Sequence, residues 1–263
     1  MTQLAASAVE DEEFLVVSRT RRTPVIMEVE LQPVGEPLHY LPGQYVLVSD
    51  QDCDMPVRSY SVANAPEDSG RISLLVTEVV SGLTSSWLTR GVQIGGTVLV
   101  SGPYGSFVAD AGVDTPTLGL AGGSGLAPIR ALAQDAVRRP IGQPFTVLFS
   151  ARTEIDVMDR ERFAQWERQY AGFRFVRTLT RSDGTPPVGR IPEILSTLFA
   201  DLSGHEVFVA GPPRFVADCT QSVRQLGVHP GHLHTEEFFA EPVASSSSSC
   251  RFNDARNRTV PIR

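Results

Sequence analysis

The spacing of apolar and turn residues changes near residue 112, and this change limits which folds the chain can adopt. Before it, short apolar runs alternate with turn residues such as Pro42-Gly43 and Gly95-Gly96, which is typical of strands joined by tight turns. Six strands with this spacing predict an antiparallel barrel, an arrangement that leaves no exposed sheet edge. The expected strands are Phe14–Thr20, Val25–Leu31, Tyr45–Val48, Arg58–Val62, Ile72–Val79 and Thr97–Val100, with a short helix near Thr84–Thr89.

After residue 112, strand-like segments alternate with helical ones. This alternation predicts right-handed crossovers and a parallel sheet with helices on both faces. The expected strands are Thr117–Ala121, Phe145–Phe149, Phe173–Leu179 and Val207–Ala210, and the expected helices are Pro128–Arg138, Asp159–Tyr170, Pro192–Phe199 and Arg214–Leu226. The predicted fold class is therefore β plus α/β, with an antiparallel β-barrel domain over residues 11–110 and an α/β domain over residues 114–239.

The last segment, residues 240–263, has a different composition. Five consecutive serines at 245–249 are typical of a flexible linker, and Cys250–Arg263 has the pattern of a strand, a turn and a second strand. A two-stranded hairpin is only marginally stable alone. Two interpretations therefore remain open, a disordered tail and the beginning of a further domain.

Charge and hydropathy exclude several classes of protein. The formal net charge of −7 makes nucleic acid and anionic membranes poor partners. No apolar run approaches the roughly 20 residues of a membrane helix. The first 13 residues are small and acidic and lack the basic and apolar regions of a signal peptide, so a cytoplasmic location is expected.

The three cysteines, Cys53, Cys219 and Cys250, lie far apart in the sequence. Their number and spacing predict neither a disulfide framework nor a zinc site, and no metal site is expected. A plant-type [2Fe–2S] cluster needs a C-x4-C-x2-C run, which this sequence lacks. We therefore expect that the chain itself does not bind such a cluster.

A glycine-rich turn lies between a predicted strand and a predicted helix, and it comprises Gly122, Gly123, Ser124, Gly125, Leu126, Ala127 and Pro128. Glycines allow close approach of a bulky anion, and a helix N-terminus offers unpaired N–H groups. Pro128 suits the first helical turn. The turn departs from G-x-G-x-x-G, and Arg152 follows the second strand where an acidic ribose-binding residue is usual. The sequence predicts a pyrophosphate site here, with a purely structural turn as the alternative.

A second candidate site is the strand segment Arg58-Ser59-Tyr60-Ser61. Alternate residues of a strand share a face, so Arg58 and Tyr60 could contact one ligand together. An arginine suits a phosphate group and an aromatic ring suits a stacked ring system. An ordinary strand is the alternative.

These two motifs and five others occur in an order that resembles the ferredoxin–NADP reductase superfamily. Within it, residues 14–239 are most similar to the reductase components of bacterial Rieske dioxygenases and multicomponent monooxygenases. The other motifs are Gly82-Leu83-Thr84-Ser85, Gly102–Phe107, Ser150-Ala151-Arg152, Ala210-Gly211-Pro212-Pro213 and Glu236-Glu237-Phe238.

The resemblance implies a flavin site in the first domain. Arg58 would neutralise the flavin phosphate, Tyr60 would stack on the isoalloxazine and Ser61 would hydrogen-bond near its N5 atom. Phe238 would border the opposite flavin face with Glu236 beside it, and these two residues form the catalytic set together with Tyr60 and Ser61. The remaining flavin-binding residues are Leu75, Val76, Thr77, Gly82, Thr84 and Ser85, with the backbone of Gly82 and Ser85 holding the FAD pyrophosphate.

The resemblance also implies a nicotinamide site in the second domain. The turn from Gly122 to Pro128 would hold the NAD(P)H pyrophosphate, and Gly211 and Pro212 would shape the nicotinamide pocket. Arg152, Asp156 and Arg181 complete the dinucleotide set, although Asp156 could equally cap a helix and Arg181 could be a solvated loop charge. The family often has a cysteine where this chain has Ala210, so slower hydride transfer is expected.

The implied function is a flavin-dependent NAD(P)H oxidoreductase that passes electrons singly to a [2Fe–2S] ferredoxin domain or protein serving an oxygenase. FAD is favoured over FMN by Ser85-Ser86-Trp87, although Arg90 leaves FMN open, and NADH is favoured over NADPH by residues 152–156. The tail resembles the first hairpin of a ferredoxin domain, so we expect a fragment. The alternatives are a free-standing ferredoxin or flavin reductase and a nucleotide-sensing module without turnover.

Overall fold

The computed structural model of the chain describes residues 11–52, 54–109, 115–139, 144–181 and 189–239. The predicted domain boundary at residues 110–114 lies outside these ranges, as does the predicted linker and hairpin at residues 240–263.

The first domain is a curled, six-stranded antiparallel sheet. Its strands are β1 (Glu12–Arg21), β2 (Ile26–Pro33), β3 (Tyr45–Ser49), β4 (Arg58–Ser61), β5 (Ile72–Thr77) and β6 (Thr97–Tyr104), in the order β4-β3-β6-β1-β2-β5. The edge strands approach each other at an antiparallel bridge between Val62 and Leu74. Fully buried residues such as Phe14, Val29 and Val46 fill the interior. The predicted antiparallel barrel fold is confirmed.

The helical segment after β5 has two parts. One turn of α-helix, α1 (Leu83–Ser86), continues into a π-helical turn at Trp87–Gly91. The Thr89 hydroxyl donates to the carbonyl of Ser85 at 2.8 Å inside this wider turn. The sequence predicted a short helix here but not its π-helical end, a feature that is frequent at functional sites.

The second domain is a five-stranded parallel sheet. Its strands are β7 (Thr117–Gly122), β8 (Phe145–Ala151), β9 (Phe173–Leu179), β10 (Glu206–Gly211) and β11 (Leu233–Glu237), in the order β11-β10-β7-β8-β9, and its helices are α2 (Leu126–Arg138), α3 (Arg160–Gln169), α4 (Ile191–Leu198) and α5 (Pro213–Gln225). Helices α2 and α3 pack on one face, whereas α4 and α5 pack on the other. The predicted parallel sheet with helices on both faces is confirmed.

The strand order reverses at β7, because β8 and β9 lie on one side of it and β10 and β11 on the other. In open parallel sheets, ligands bind beside the carboxyl ends of the strands at such a reversal. The two domains meet at this edge, since Ala63 and Leu75 of the barrel belong to the same apolar cluster as Leu126 and Ile129 of α2. The fold thus brings the barrel wall to the edge of the sheet where a ligand would bind.

Over the described ranges, no helix has both the length and the apolar character that crossing a bilayer requires.

Candidate active site

A cleft of about 460 Å³ lies where the two domains meet. The barrel contributes one wall from β3, β4, β5 and the start of α1, and the α/β domain contributes Ser124, Ala127 and residues 236–239. Predicted site residues on both walls line it. They are Arg58, Tyr60, Ser61, Leu75, Thr77, Gly82, Thr84, Ser85, Ser124, Glu236 and Phe238.

The barrel wall is built around β4. Arg58 and Tyr60 both line the cleft, together with Ser59 and Ser61. The hydrogen-bonded register of β3 and β4 sets Tyr45 opposite Ser61, and Tyr45 also lines the cleft. Burial raises the pKa of Tyr45, and the neighbouring Glu236 and Tyr104 add to the effect. This wall therefore combines one cation with aromatic rings and hydroxyls.

Ser61, the last residue of β4, and Glu236, near the carboxyl end of β11, connect the two walls of the cleft. The Ser61 hydroxyl donates a hydrogen bond to Oε1 of Glu236. The other carboxyl oxygen, Oε2, is buried and has no hydrogen-bond partner among the described residues. Burial raises the pKa of Glu236 to about 7, although the bond from Ser61 lowers it in part. An orphaned buried oxygen of this kind fits a cleft that completes its hydrogen bonding with a ligand.

The loop between β5 and α1 forms the rim of the barrel wall. Gly82 caps α1, and a Cβ atom placed on it would lie 2.6 Å from Oγ of Ser85. The Thr84 hydroxyl donates to the carbonyl of Pro56 at 2.5 Å, which ties this loop to the chain before β4. Backbone and hydroxyl groups of residues 81–85 thus line the cleft without a bulky side chain at Gly82.

The glycine-rich turn contributes Ser124 and Ala127 to the facing wall. Gly123 has a φ of +59°, a left-handed conformation that L-amino acids with a side chain adopt at a cost. A Cβ atom on Gly125 would overlap the backbone carbonyl of Ala210, so the turn lies directly against the end of β10. From this turn Ser124 meets the barrel, because the Thr77 hydroxyl donates to Oγ of Ser124 at 2.9 Å. The geometry fits a backbone cradle for a phosphate-bearing ligand.

Known proteins share both halves of this arrangement. The oxidoreductase FAD-binding domain family matches residues 16–108, and the oxidoreductase NAD-binding domain family matches residues 120–221. Ferredoxin--NADP reductase B of Sorangium cellulosum (strain So ce56) is 32% identical over 229 residues, which cover 82% of this chain and 93% of that protein. This chain belongs to the ferredoxin–NADP reductase family. The sequence-based prediction of the family is confirmed.

Other relatives of this reductase are components of oxygenase systems. Terephthalate 1,2-dioxygenase, reductase component 1, of Comamonas sp is 28% identical over 234 residues, which cover 88% of this chain and 69% of that protein. The ferredoxin reductase in carbazole 1,9a-dioxygenase has a structure with a TM-score of 0.79 and 25% identity, covering 89% of this chain and 71% of that one. The chain is therefore an NAD(P)H-dependent flavoprotein oxidoreductase, as its sequence predicted.

Several predicted residues of this reductase do not line the cleft. Val76 is fully buried in the barrel core, and Pro128 is buried in the first turn of α2. Ala210 is fully buried beneath Gly125. Gly211, with a φ of +154°, continues β10 beside the glycine-rich turn, and its backbone carbonyl accepts from Phe238 N at 2.9 Å. The predicted residues Gly122, Gly123, Gly125 and Pro212 likewise do not line the cleft.

Arg152, Asp156 and Arg181 lie together at the carboxyl ends of β8 and β9. Arg152 pairs with Asp156 at 3.2 Å, and the backbone N–H of Arg181 donates to the carbonyl of Arg152 at 2.8 Å. Asp156 also accepts from the backbone N–H and hydroxyl of Thr153, forming a capping box over a short 3₁₀ helix. The alternative that Asp156 caps a helix is thus present in the structure, and its carboxylate serves Arg152 as well.

Sequence reasoning missed some residues that line the cleft, namely Tyr45, Pro56, Val79, Ser81 and Phe239, and it named Ser59, Leu83, Ala127 and Glu237 only as members of motifs. Most are direct neighbours of predicted residues and follow from chain continuity. Tyr45 is different, because only its pairing with Ser61 across two strands brings it to the site.

Proposed function

We propose that this reductase binds FAD along the barrel wall and NADH along the glycine-rich wall, and passes electrons singly to a [2Fe–2S] ferredoxin domain or protein serving an oxygenase. The observation that supports this best is the direct contact between the walls, where Thr77 and Ser124 are 2.9 Å apart. Hydride transfer requires reacting atoms to approach to about 3–3.5 Å, and two walls in contact suit that requirement.

Residues of the barrel wall would bind and orient the flavin. Arg58 would balance a phosphate charge, Tyr60 would pack against the ring system, and the rim at Gly82 and Ser85 would hold the pyrophosphate. A bound flavin supplies the chemistry that converts a hydride from NADH into two single electrons. Phe238, on the opposite wall, would exclude water from the space that the nicotinamide must enter.

Glu236, hydrogen-bonded to Ser61, would bind and release a proton in the cleft. With a pKa of about 7, Glu236 is partly protonated at neutral pH. Since Oε1 already accepts from Ser61, the proton would reside on Oε2, the oxygen that has no partner among the described residues. In that state Glu236 can donate a hydrogen bond to a ligand, and after ionisation it can accept one.

Two contacts support FAD and NADH over FMN and NADPH. The Arg90 guanidinium, which could have served a terminal flavin phosphate, pairs with Glu78 at 2.9 Å and does not line the cleft. Near the expected adenosine end, Asp156 pairs with Arg152 at 3.2 Å and Glu154 pairs with Arg160 and Arg177, so these arginines are already engaged by carboxylates and are less available to a 2′-phosphate.

Several relatives are named as reductase or electron-transfer components of dioxygenases, which supports the proposed ferredoxin and oxygenase partners. Besides the terephthalate and carbazole dioxygenase reductases, the relatives include toluate 1,2-dioxygenase electron transfer component of Pseudomonas putida, 29% identical over 206 residues. The Sorangium cellulosum relative, of which the chain covers 93%, favours the second candidate, a free-standing ferredoxin reductase. A nucleotide-sensing module is disfavoured because Arg58, Tyr60, Ser61 and Phe238 all line the cleft. A cytoplasmic location remains a prediction.

The test uses the purified 263-residue chain. We expect yellow protein that releases FAD on denaturation and bleaches anaerobically with NADH faster than with NADPH. Cytochrome c reduction should require an added [2Fe–2S] protein, which distinguishes the proposed role from general flavin reduction. Cytochrome c reduction without that protein would support the free-standing reductase, and a colourless folded protein that oxidises neither nucleotide would contradict both.

A further inference from the structure

Arg130 is a charged side chain that is completely buried, with 0% of its surface exposed. It lies in α2, five residues after the last glycine of the glycine-rich turn. Each guanidinium nitrogen has its own acceptor. Nε donates to the carbonyl of Ala63 at 2.5 Å, Nη1 to Asp159 Oδ2 at 3.0 Å and Nη2 to Glu28 Oε1 at 2.6 Å.

The three acceptors belong to different parts of the molecule. Glu28 lies in β2 and Ala63 follows β4, so both are in the barrel, whereas Asp159 precedes α3 in the α/β domain. Arg22 donates to Oε2 of Glu28 at 2.6 Å, and Arg162 approaches Oδ1 of Asp159 at 3.6 Å. Positive and negative groups therefore alternate through the cluster, and Arg130 is its centre.

The conformation of Asp159 indicates that its carboxylate pairs with the arginines of this cluster and does not cap helix α3. Asp159 is the N-cap of α3, where an aspartate usually accepts from the first helical N–H groups. Within the described segment 144–181 it makes no such side-chain bond to α3, and its φ of +54° is left-handed. Its carboxylate instead pairs with Arg130 and Arg162.

A buried ion cluster is a poor means of gaining stability, because desolvation of the charges offsets much of their attraction. It does fix relative positions, since a planar guanidinium orients several acceptors at once in a way that an ammonium group cannot. Here the fixed parts are the barrel and the helix whose N-terminus carries the glycine-rich turn.

We propose that Arg130 is a positioning residue that sets the separation between the barrel wall and the glycine-rich wall of the cleft. It acts through α2, because a shift of this helix moves Ser124 away from Thr77 and Ala127 away from the barrel wall. The proposal rests on the proposed function, in which that separation governs the approach of nicotinamide to flavin.

The first test is amide hydrogen exchange in the flavin-loaded full chain. Arg130→Lys keeps the charge but cannot reach three acceptors, so we expect faster exchange at residues 122–126. We expect the same at Ala65 of the barrel, whose backbone N–H donates to Oε1 of Gln134 in α2 at 3.1 Å. Arg138→Met is the matched control, because Arg138 lies on the same helix and pairs with Glu67 of the barrel at 3.1 Å, but is exposed. We expect the control to leave residues 122–126 unchanged.

The second test measures anaerobic flavin reduction at saturating NADH and at saturating NADH deuterated at the transferred position. For Arg130→Lys we expect the reduction rate to fall about 10- to 100-fold, as misplacement of reacting groups by about 1 Å would cause. The NADH dissociation constant should change less, and the isotope effect should increase. For Arg138→Met the rate should stay within about twofold of wild type.

Glu28→Gln and Asp159→Asn each remove one negative charge paired with Arg130 and keep the shape of the side chain. If Arg130→Lys does not fold, the same measurements on these two variants test the positioning role. Unchanged exchange at residues 122–126, with an unchanged rate per bound flavin and only a lower melting temperature, would overturn the proposal. If neither nucleotide reduces the wild-type protein, the proposed function fails, whereas the exchange comparison still decides the role of Arg130.

Discussion

At the scale of single residues, the carboxyl group of Glu236 has an environment that reverses the usual behaviour of a glutamate. Burial raises its pKa to about 7, and the hydroxyl of Ser61 opposes this only in part. A folded-state pKa above the unfolded value means that the folded protein binds the proton more tightly. The resulting stabilisation is complete below about pH 4.5 and is lost as the pH rises through about 7.

Glu236→Gln should therefore remove a pH-dependent loss of stability. Between pH 5 and pH 8.5 the wild-type protein should lose on the order of 2–3 kcal/mol of unfolding free energy relative to Glu236→Gln. Urea unfolding of the flavin-free protein across this range measures the difference. Glu237→Gln, a change at the exposed neighbouring carboxylate, is the control, and parallel curves for wild type and Glu236→Gln would contradict the assignment.

Ser61→Ala tests the other half of the pair. Because the Ser61 hydroxyl stabilises the ionised form of Glu236, its removal should move the titration of this carboxyl further above pH 7. Carboxyl ¹³C NMR of glutamate-labelled protein follows the titration directly. Ser59→Ala changes an exposed hydroxyl on the same strand and should leave the Glu236 midpoint where it is. A downward shift in Ser61→Ala would show that the hydrogen bond favours the protonated form.

At the scale of elements, the close packing between the glycine-rich turn and β10 is the feature most sensitive to one added carbon. Gly125→Ala should force the turn away from the carbonyl of Ala210, since backbone atoms cannot yield as a flexible side chain can. We expect NADH affinity to fall by about tenfold or more, which corresponds to about 1.4 kcal/mol, with flavin content unchanged. Titration calorimetry measures the affinity. Gly204→Ala, where the added carbon meets open space, should bind NADH normally.

The same elements separate what the sequence could predict from what it could not. Strand alternation, the glycine-rich turn and the proline in the first turn of α2 are local signals, and each predicted its element within a few residues. Arg130 gave no such signal, because its neighbours in the sequence are apolar helix residues and its partner Glu28 is 102 positions away. Tyr45 depends likewise on cross-strand register. Local patterns thus predicted the strands, the helix and the glycine-rich turn, whereas contacts between domains required the fold.

At the scale of the whole molecule, the unfolding free energy depends on pH through two sites with opposite effects. Glu28 and Asp159 at the domain interface have lowered pKa values, and Glu236 in the cleft has a raised pKa. Burial by itself would raise the pKa of Glu28 and Asp159, but the charge of Arg130 outweighs it and holds both below their ordinary values. Their contribution to stability is present above about pH 4.5 and is lost as the pH falls through the lowered folded values. Glu236 acts in the reverse sense above that range.

The unfolding free energy should consequently pass through a maximum near pH 4.5, with a decline at lower pH that belongs to the domain interface and a decline between about pH 4.5 and pH 7 that belongs to the cleft. Glu28→Gln or Asp159→Asn should flatten part of the decline at low pH, and Glu236→Gln should remove the decline between about pH 4.5 and pH 7. The Ser61–Glu236 hydrogen bond joins the two walls whose separation the Arg130 cluster is proposed to set, so the double variant Asp159→Asn/Glu236→Gln should deviate from the sum of both changes by more than about 0.5 kcal/mol. Urea unfolding at closely spaced pH values tests this. Additivity within that margin would mean that the interface and the cleft are energetically independent, and that the position of α2 does not influence the protonation of Glu236.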